Sequence, residues 1–141
     1  MAGKSSENKT RPTAVSVAEF LAGVEPEARR QDAEALCAIM GRLSRAPAVM
    51  WGPTIIGFGR REYRYESGRE GAVPAAGFAP RKPALVLYLG LGPKREGFLS
   101  RLGRHATGKG CIYIKRLADV DGGVLEEMII TSLTAAAEAS S

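Results

Sequence analysis

Histidine is almost missing from this chain, which has only His105, and cysteine is scarce, with Cys37 and Cys111 alone. Without a second histidine or a C-x-x-C pair, a zinc site of the ordinary nitrogen and sulfur ligand set cannot be assembled from the sequence. The two cysteines fall in separate segments and read as free thiols of a reducing compartment. No apolar run approaches the length of a membrane-spanning helix, and the opening residues Met1 to Thr10 contain no apolar h-region. The expected localisation is therefore cytoplasmic, with no membrane partner. Residues 117–141 lack lysine and arginine altogether.

What remains is an ordinary globular composition, 45% hydrophobic and 25% charged over 141 residues, enough for one core. Residues 1–13 are polar and read as a flexible N-terminal tail, 14–137 as a single domain, and 138–141 as a C-terminal tail. The net charge of +5 is unevenly spread: residues 60–116 carry thirteen Lys/Arg against four Asp/Glu, while residues 117–141 carry five acids and no base. A basic middle can attract nucleic acid or a phosphorylated small molecule; it can equally be solvated surface or face the acidic last segment.

Periodicity supplies the elements. Val15 to Val24 reads as a first helix, and Pro26 suits the first turn of a second running from about 26 to 44. Ala33, Leu36, Met40 and Leu43 make its apolar stripe, and Glu27, Arg29, Arg30, Asp32 and Glu34 are assigned mostly to the opposite face. From Trp51 onward β-formers take over: Thr54 to Phe58, then Glu62 to Glu66 in strict alternation, with a hairpin turn expected at Gly59 to Arg61. Pro74 to Arg81 reads as a less regular strand or loop, and Ala84 to Leu89 as a central strand buried on both sides. Pro93 and Gly103 bracket a short helix, Cys111 to Lys115 is the last strand, and Asp119 is the expected N-cap of a final helix. The fold class is α+β, an antiparallel sheet of about four to five strands packed against N-terminal and C-terminal helices.

The chemistry concentrates between Gly103 and Asp119, which hold the histidine, one cysteine and a Gly-Lys-Gly turn. His105 could serve as a base or ligand, or as a loop histidine bonded to backbone. Thr107-Gly-Lys-Gly110 lacks the spacing of a phosphate loop and leads into a strand, so it reads as a tight turn. Cys111 could be a cation-activated thiolate or a small buried hydrophobe. Arg81, Lys82, Lys109, Lys115 and Arg116 could clamp an anion between walls supplied by Trp51, Tyr63 and Tyr88, or be scattered surface charge. The candidate ligand-binding set is therefore Trp51, Tyr63, Arg81, Lys82, Tyr88, His105, Lys109, Cys111 and Lys115. No catalytic residue can be assigned, since neither Cys111 nor His105 has partners to complete it.

Four blocks carry a resemblance: Met50 to Gly59, Tyr63 to Gly71, Gly77 to Lys82 and Thr107 to Leu117. In this order they resemble the YdhG-like bacterial family, catalogued as domain of unknown function 1801, from about residue 15 to 133. The resemblance implies a small cytoplasmic α+β domain of YdhG-like fold, and it brings a distant link to frataxin-like iron chaperones. The resemblance leads to the expectation of Tyr-His where this chain has Arg61-Glu62, so it does not extend to a histidine-based site there. Labile iron would require exposed carboxylates, for which Glu19, Glu25, Glu27, Asp32, Glu34, Asp119, Asp121, Glu126 and Glu127 are available. The reading that results is a non-enzymatic binding module for a small anionic ligand, with no cofactor required. Iron chaperoning is the alternative, and nucleic-acid binding through the basic middle ranks third.

Overall fold

A computed structural model describes residues 16–64 and 70–140 and shows an α+β architecture. Ser16 caps α1 (Val17–Ala22) by accepting the Glu19 N–H at 3.3 Å. Pro26 occupies the N-cap of α2 (Glu27–Ser44) and not its first turn. Ala33, Leu36 and Met40 are buried, as their spacing requires, but so are Arg29 and Asp32, which the charge pattern had assigned to the solvent face.

The chain then runs through β1 (Ala48–Trp51), β2 (Ile55–Phe58), β3 (Arg61–Arg64), β4 (Glu70–Val73), β5 (Ala76–Pro80), β6 (Leu85–Leu89), α3 (Arg95–Leu102), β7 (Ala106–Gly108), β8 (Cys111–Ile114) and α4 (Gly122–Ser140). Six of these strands form one antiparallel sheet in the order β1-β2-β5-β6-β8-β7, slightly more strands than expected. The short edge strands β1 and β7 make up the difference.

Gly59 to Arg61 is a bend, not the expected hairpin turn. β2 pairs with β5 and β3 with β4 in one continuous register, Phe58 opposite Ala76 and Arg61 opposite Val73. These strands are thus two halves of one long ribbon, paired as far as Arg64 opposite Glu70. The break falls where Gly59 takes φ of 70° and Pro74 cannot donate to the ladder. Beyond it the ribbon leaves the sheet and β3 runs beside α4. Pro74 to Arg81, expected to be irregular, contains the fully regular β5 in the middle of the sheet.

Alternation sorts the strand residues by face. Met50, Ile56, Phe58, Phe78, Leu85, Leu87, Ile112 and Ile114 meet Leu36, Met40, Phe98, Leu102, Leu125, Met128 and Ile129 in a single core between sheet and helices. The opposite face carries two rows across the register, Trp51–Ile55–Ala79–Val86–Tyr113–Ala106 and Val49–Gly57–Gly77–Tyr88–Cys111–Gly108. Leu85 to Leu87 are buried on both sides, whereas Tyr88 and Leu89 are half-buried.

Asp121, not Asp119, caps α4: its Oδ1 accepts the Val124 N–H at 3.0 Å, while Asp119 closes a 3-10 turn. α4 continues through 138–140 to Ser140, past its expected end, and the 1–13 tail lies outside the described residues. No helix among the described residues is long and apolar enough to cross a membrane.

Candidate functional site

Two glycines set the relief of the second face. A Cβ on Gly57 would stand 2.5 Å from Trp51 Cδ1 and 2.6 Å from Pro74 Cβ, and one on Gly77 would stand 3.1 Å from Pro74 Cγ. Trp51 and Pro74 therefore lie directly on the backbone of β2 and β5, and Trp51 is only 3% exposed. It is a packed wall. Beside this covered half, where the ribbon bends away, a cleft of about 240 Å³ opens between Ile55, Val73 and Pro74 on one side and Tyr88, Leu89, Gly90 and Gly110 on the other. Its lining is apolar except for Arg61.

Backbone geometry positions that guanidinium. A Cβ on Gly90 would be 3.8 Å from Arg61 Cζ and 3.9 Å from Ser132 Oγ, so the arginine head rests against a residue without a side chain. Ser132, 1% exposed on α4, donates to the Ala75 carbonyl at 2.5 Å and accepts the Gly90 N–H at 2.8 Å. One hydroxyl thereby ties the start of β5 to the end of β6 at the cleft's base. Arg61 has no ion-pair partner among the described residues, unlike Arg60, which meets Glu62 at 3.2 Å.

The expected clamp divides between two ends of the sheet. Arg81 and Lys82 follow β5, Lys115 follows β8, and all three are exposed at the end where Pro80, Leu85 and Ile114 lie side by side. Lys109 sits in the β7–β8 turn, at the other end, roughly 17 Å of strand away from Lys115. Trp51 is buried against Gly57, Tyr88 lines the cleft, and Cys111 lies opposite Tyr88 across the β6–β8 ladder. Of Tyr63 only the backbone, in β3, is described.

His105 places Nδ1 2.7 Å from the Gly103 carbonyl; as that oxygen can only accept, Nδ1 carries the hydrogen. The Cys111 thiol lies 3.3 Å from the Tyr113 hydroxyl, and the phenol end of Tyr113 lies over Gly108. Its hydrogen bond with Cys111, and the charge that sulfur carries when ionised, push the Tyr113 phenol above its ordinary value; Arg81 acts in the opposite sense. Burial likewise pushes the Cys37 thiol up.

At the Arg81 end a second arrangement escaped the sequence reading. Arg29, 7% exposed, donates through Nε to the Arg81 carbonyl at 3.0 Å, through Nη2 to Lys82 at 3.2 Å and through Nη1 to Lys115. Asp32 receives Arg116 Nε at 2.7 Å and the Leu117 N–H at 3.1 Å. Burial alone would raise the Asp32 carboxyl, but these bonds and the charges of Arg116 and Arg29 outweigh it and hold it below 3.8. No family model, curated protein or solved structure matches this chain.

The carboxylates considered for iron are mostly engaged with arginine. Glu126 meets Arg42 at 2.9 Å, Glu127 meets Arg101 at 3.9 Å, and Glu27 and Glu34 flank Arg30 at 3.6 and 3.9 Å. Among the described residues no three His, Cys, Asp or Glu side chains are grouped to hold a metal ion. Arg61 was missed because it fell in the expected turn, and Ile55, Val73, Pro74, Leu89 and Gly90 because apolar residues and glycines carry no site signature in isolation. Their common signal is the Gly-Arg/Pro-Ala break opposite itself in the ribbon register.

Proposed function

We propose that the chain is a cytoplasmic, non-enzymatic binding module of the YdhG-like kind. In this reading the cleft at the ribbon bend takes a compact ligand with an apolar body and one planar anionic group. The observation that carries the proposal is a half-buried arginine without an ion-pair partner, set in an otherwise apolar cleft of about 240 Å³. A guanidinium donates two parallel N–H bonds and so matches a carboxylate in shape as well as charge. Ile55, Pro74 and Tyr88 supply the apolar wall for the body, and the Ser132 bridge keeps Gly90 close enough for Arg61 to lie against it. Two of the blocks that resemble the YdhG-like family contribute to the walls, Ile55 from the first and Gly110 from the fourth. Iron ranks below this reading because the carboxylates of α2 and α4 are largely held by arginines.

The test is isothermal calorimetry and thermal unfolding with benzoate, phenylacetate, short branched carboxylates and phenyl phosphate. Carboxylates should raise the melting temperature of the wild type, by the equivalent of about 2.7 kcal/mol at a hundredfold excess over the dissociation constant. Arg61→Gln should abolish the shift while leaving the fold intact. Absence of binding by every probe to the wild type, or equal binding by Arg61→Gln, overturns the proposal.

A further inference from the structure

Beyond Arg61, the cleft uses no cation of the basic middle, and among the other cations of the chain two groups differ in pairing. On the helix side Arg30, Arg42 and Arg101 each meet a glutamate and Arg116 meets Asp32, while Lys94 and Arg104 are exposed without an ion pair among the described residues. Those at the two ends of the opposite sheet face, Arg81, Lys82, Lys109 and Lys115, are exposed and have no ion-pair partner among the described residues. Between them lie Tyr88 and Tyr113, both half-buried, on adjacent strands. The register sets Val86 opposite Tyr113 and Cys111 opposite Tyr88, so the two tyrosines are diagonal neighbours about 7–8 Å apart. Neither row of this face contains a carboxylate.

We infer that the β6–β8–β7 part of this face binds a single-stranded polynucleotide, with phosphates on Arg81, Lys82, Lys115 and Lys109 and bases against Tyr88 and Tyr113.

Charge complementarity selects a polyanion, because unpaired cations stand at both ends of the strip and a small anion would engage only one end. The tyrosines select a single strand, whose bases are free to stack, over a duplex, whose bases are not. The strip is on the order of 17 Å long and suits a site of about 4 nucleotides, the short end of the range for sheet-face readers. Arg29 makes the cationic end rigid: by holding the carbonyls of Arg81, Lys82 and Lys115 inward it turns two loops into one platform.

The experiment is fluorescence anisotropy with short labelled single-stranded DNA and RNA of mixed sequence, each compared with its duplex over a salt series. Four phosphate contacts predict a slope of log K against log salt of about −2.8. Lys82→Gln with Lys115→Gln should halve that slope, and Tyr113→Ala should weaken binding at least about fivefold. Arg42→Gln, an equal loss of charge on the helix side, should change neither. Circular dichroism confirms that each variant is folded, and Tyr113→Leu, which keeps an apolar filler over Gly108 without a stacking ring, replaces Tyr113→Ala if the latter unfolds. No association at low salt, tighter binding of duplex than of single strand, or equal effects of Arg42→Gln and the double lysine variant overturns the inference.

Discussion

At the scale of single residues, the strongest constraints come from two charged side chains inside the molecule. Arg29 and Asp32 lie one turn before Ala33 and Leu36, on the N-terminal continuation of the apolar stripe of α2. Asp32 stabilises the fold only while ionised, since Arg116 and the Leu117 N–H both donate to its carboxylate. Its folded-state carboxyl lies below its ordinary 3.8, so the contribution is complete above about pH 5 and is lost as pH falls through the lowered value. Replacing Asp32 by Asn should cost about 1 kcal/mol at neutral pH, discounted because Arg116 is half exposed, and the gap to the wild type should close in acid below pH 3.8. Urea titrations of both proteins across that range measure the closing; a constant gap would mean that Asp32 acts by shape and not by charge. The sequence contained the spacing that places both residues on the stripe. It did not contain their partners, three carbonyls and an N–H that only the sheet end brings within reach, and without partners a buried charge reads as an exposed one.

Among the elements, helices and central strands were legible because burial repeats at a fixed period along each of them. The stripe of α4, the run of β6 and the alternation in β8 occur where their side chains require. The ribbon was not legible, because its register joins residues far apart in sequence and its bend copies the local chemistry of a turn. Gly59 satisfies either reading; only the pairing of Arg61 with Val73 decides. The candidate cleft arises at that bend, so its residues were hidden for the same reason. Ser132 joins the elements there, and removing its hydroxyl leaves the part-buried Gly90 N–H and the buried Ala75 carbonyl without their side-chain partner. Ser132→Ala should therefore destabilise the protein by about 2 kcal/mol in urea unfolding. Hydrogen exchange at Gly90 should accelerate more than at Leu87, three residues deeper in β6. If both amides change alike, Ser132 supports global stability and does not specifically hold the cleft's base.

For the whole molecule, the charge total conceals an opposition between its two sides. The acidic α4 faces arginines of α2 and α3, through pairs such as Arg42–Glu126 and Arg101–Glu127 that are largely exposed and each stabilise by about 0.5 kcal/mol or less. The ends of the opposite sheet face gather Arg81, Lys82, Lys109 and Lys115, which have no ion-pair partner among the described residues. Salt screens attraction on one side and repulsion on the other, so the sign of the response reports which dominates. Because the exposed pairs are weak and the unpaired cations stand on both ends of the same face, repulsion should prevail. The melting temperature should rise by about 1–3 °C when monovalent salt is raised from a few millimolar to physiological strength. Lys82→Gln with Lys115→Gln, which thins the unpaired group, should melt higher at low salt and respond less. A melting temperature that falls with salt would show instead that the helix-side pairs carry more of the stability than their exposure implies, and that the cations of the sheet face lie too far apart to repel.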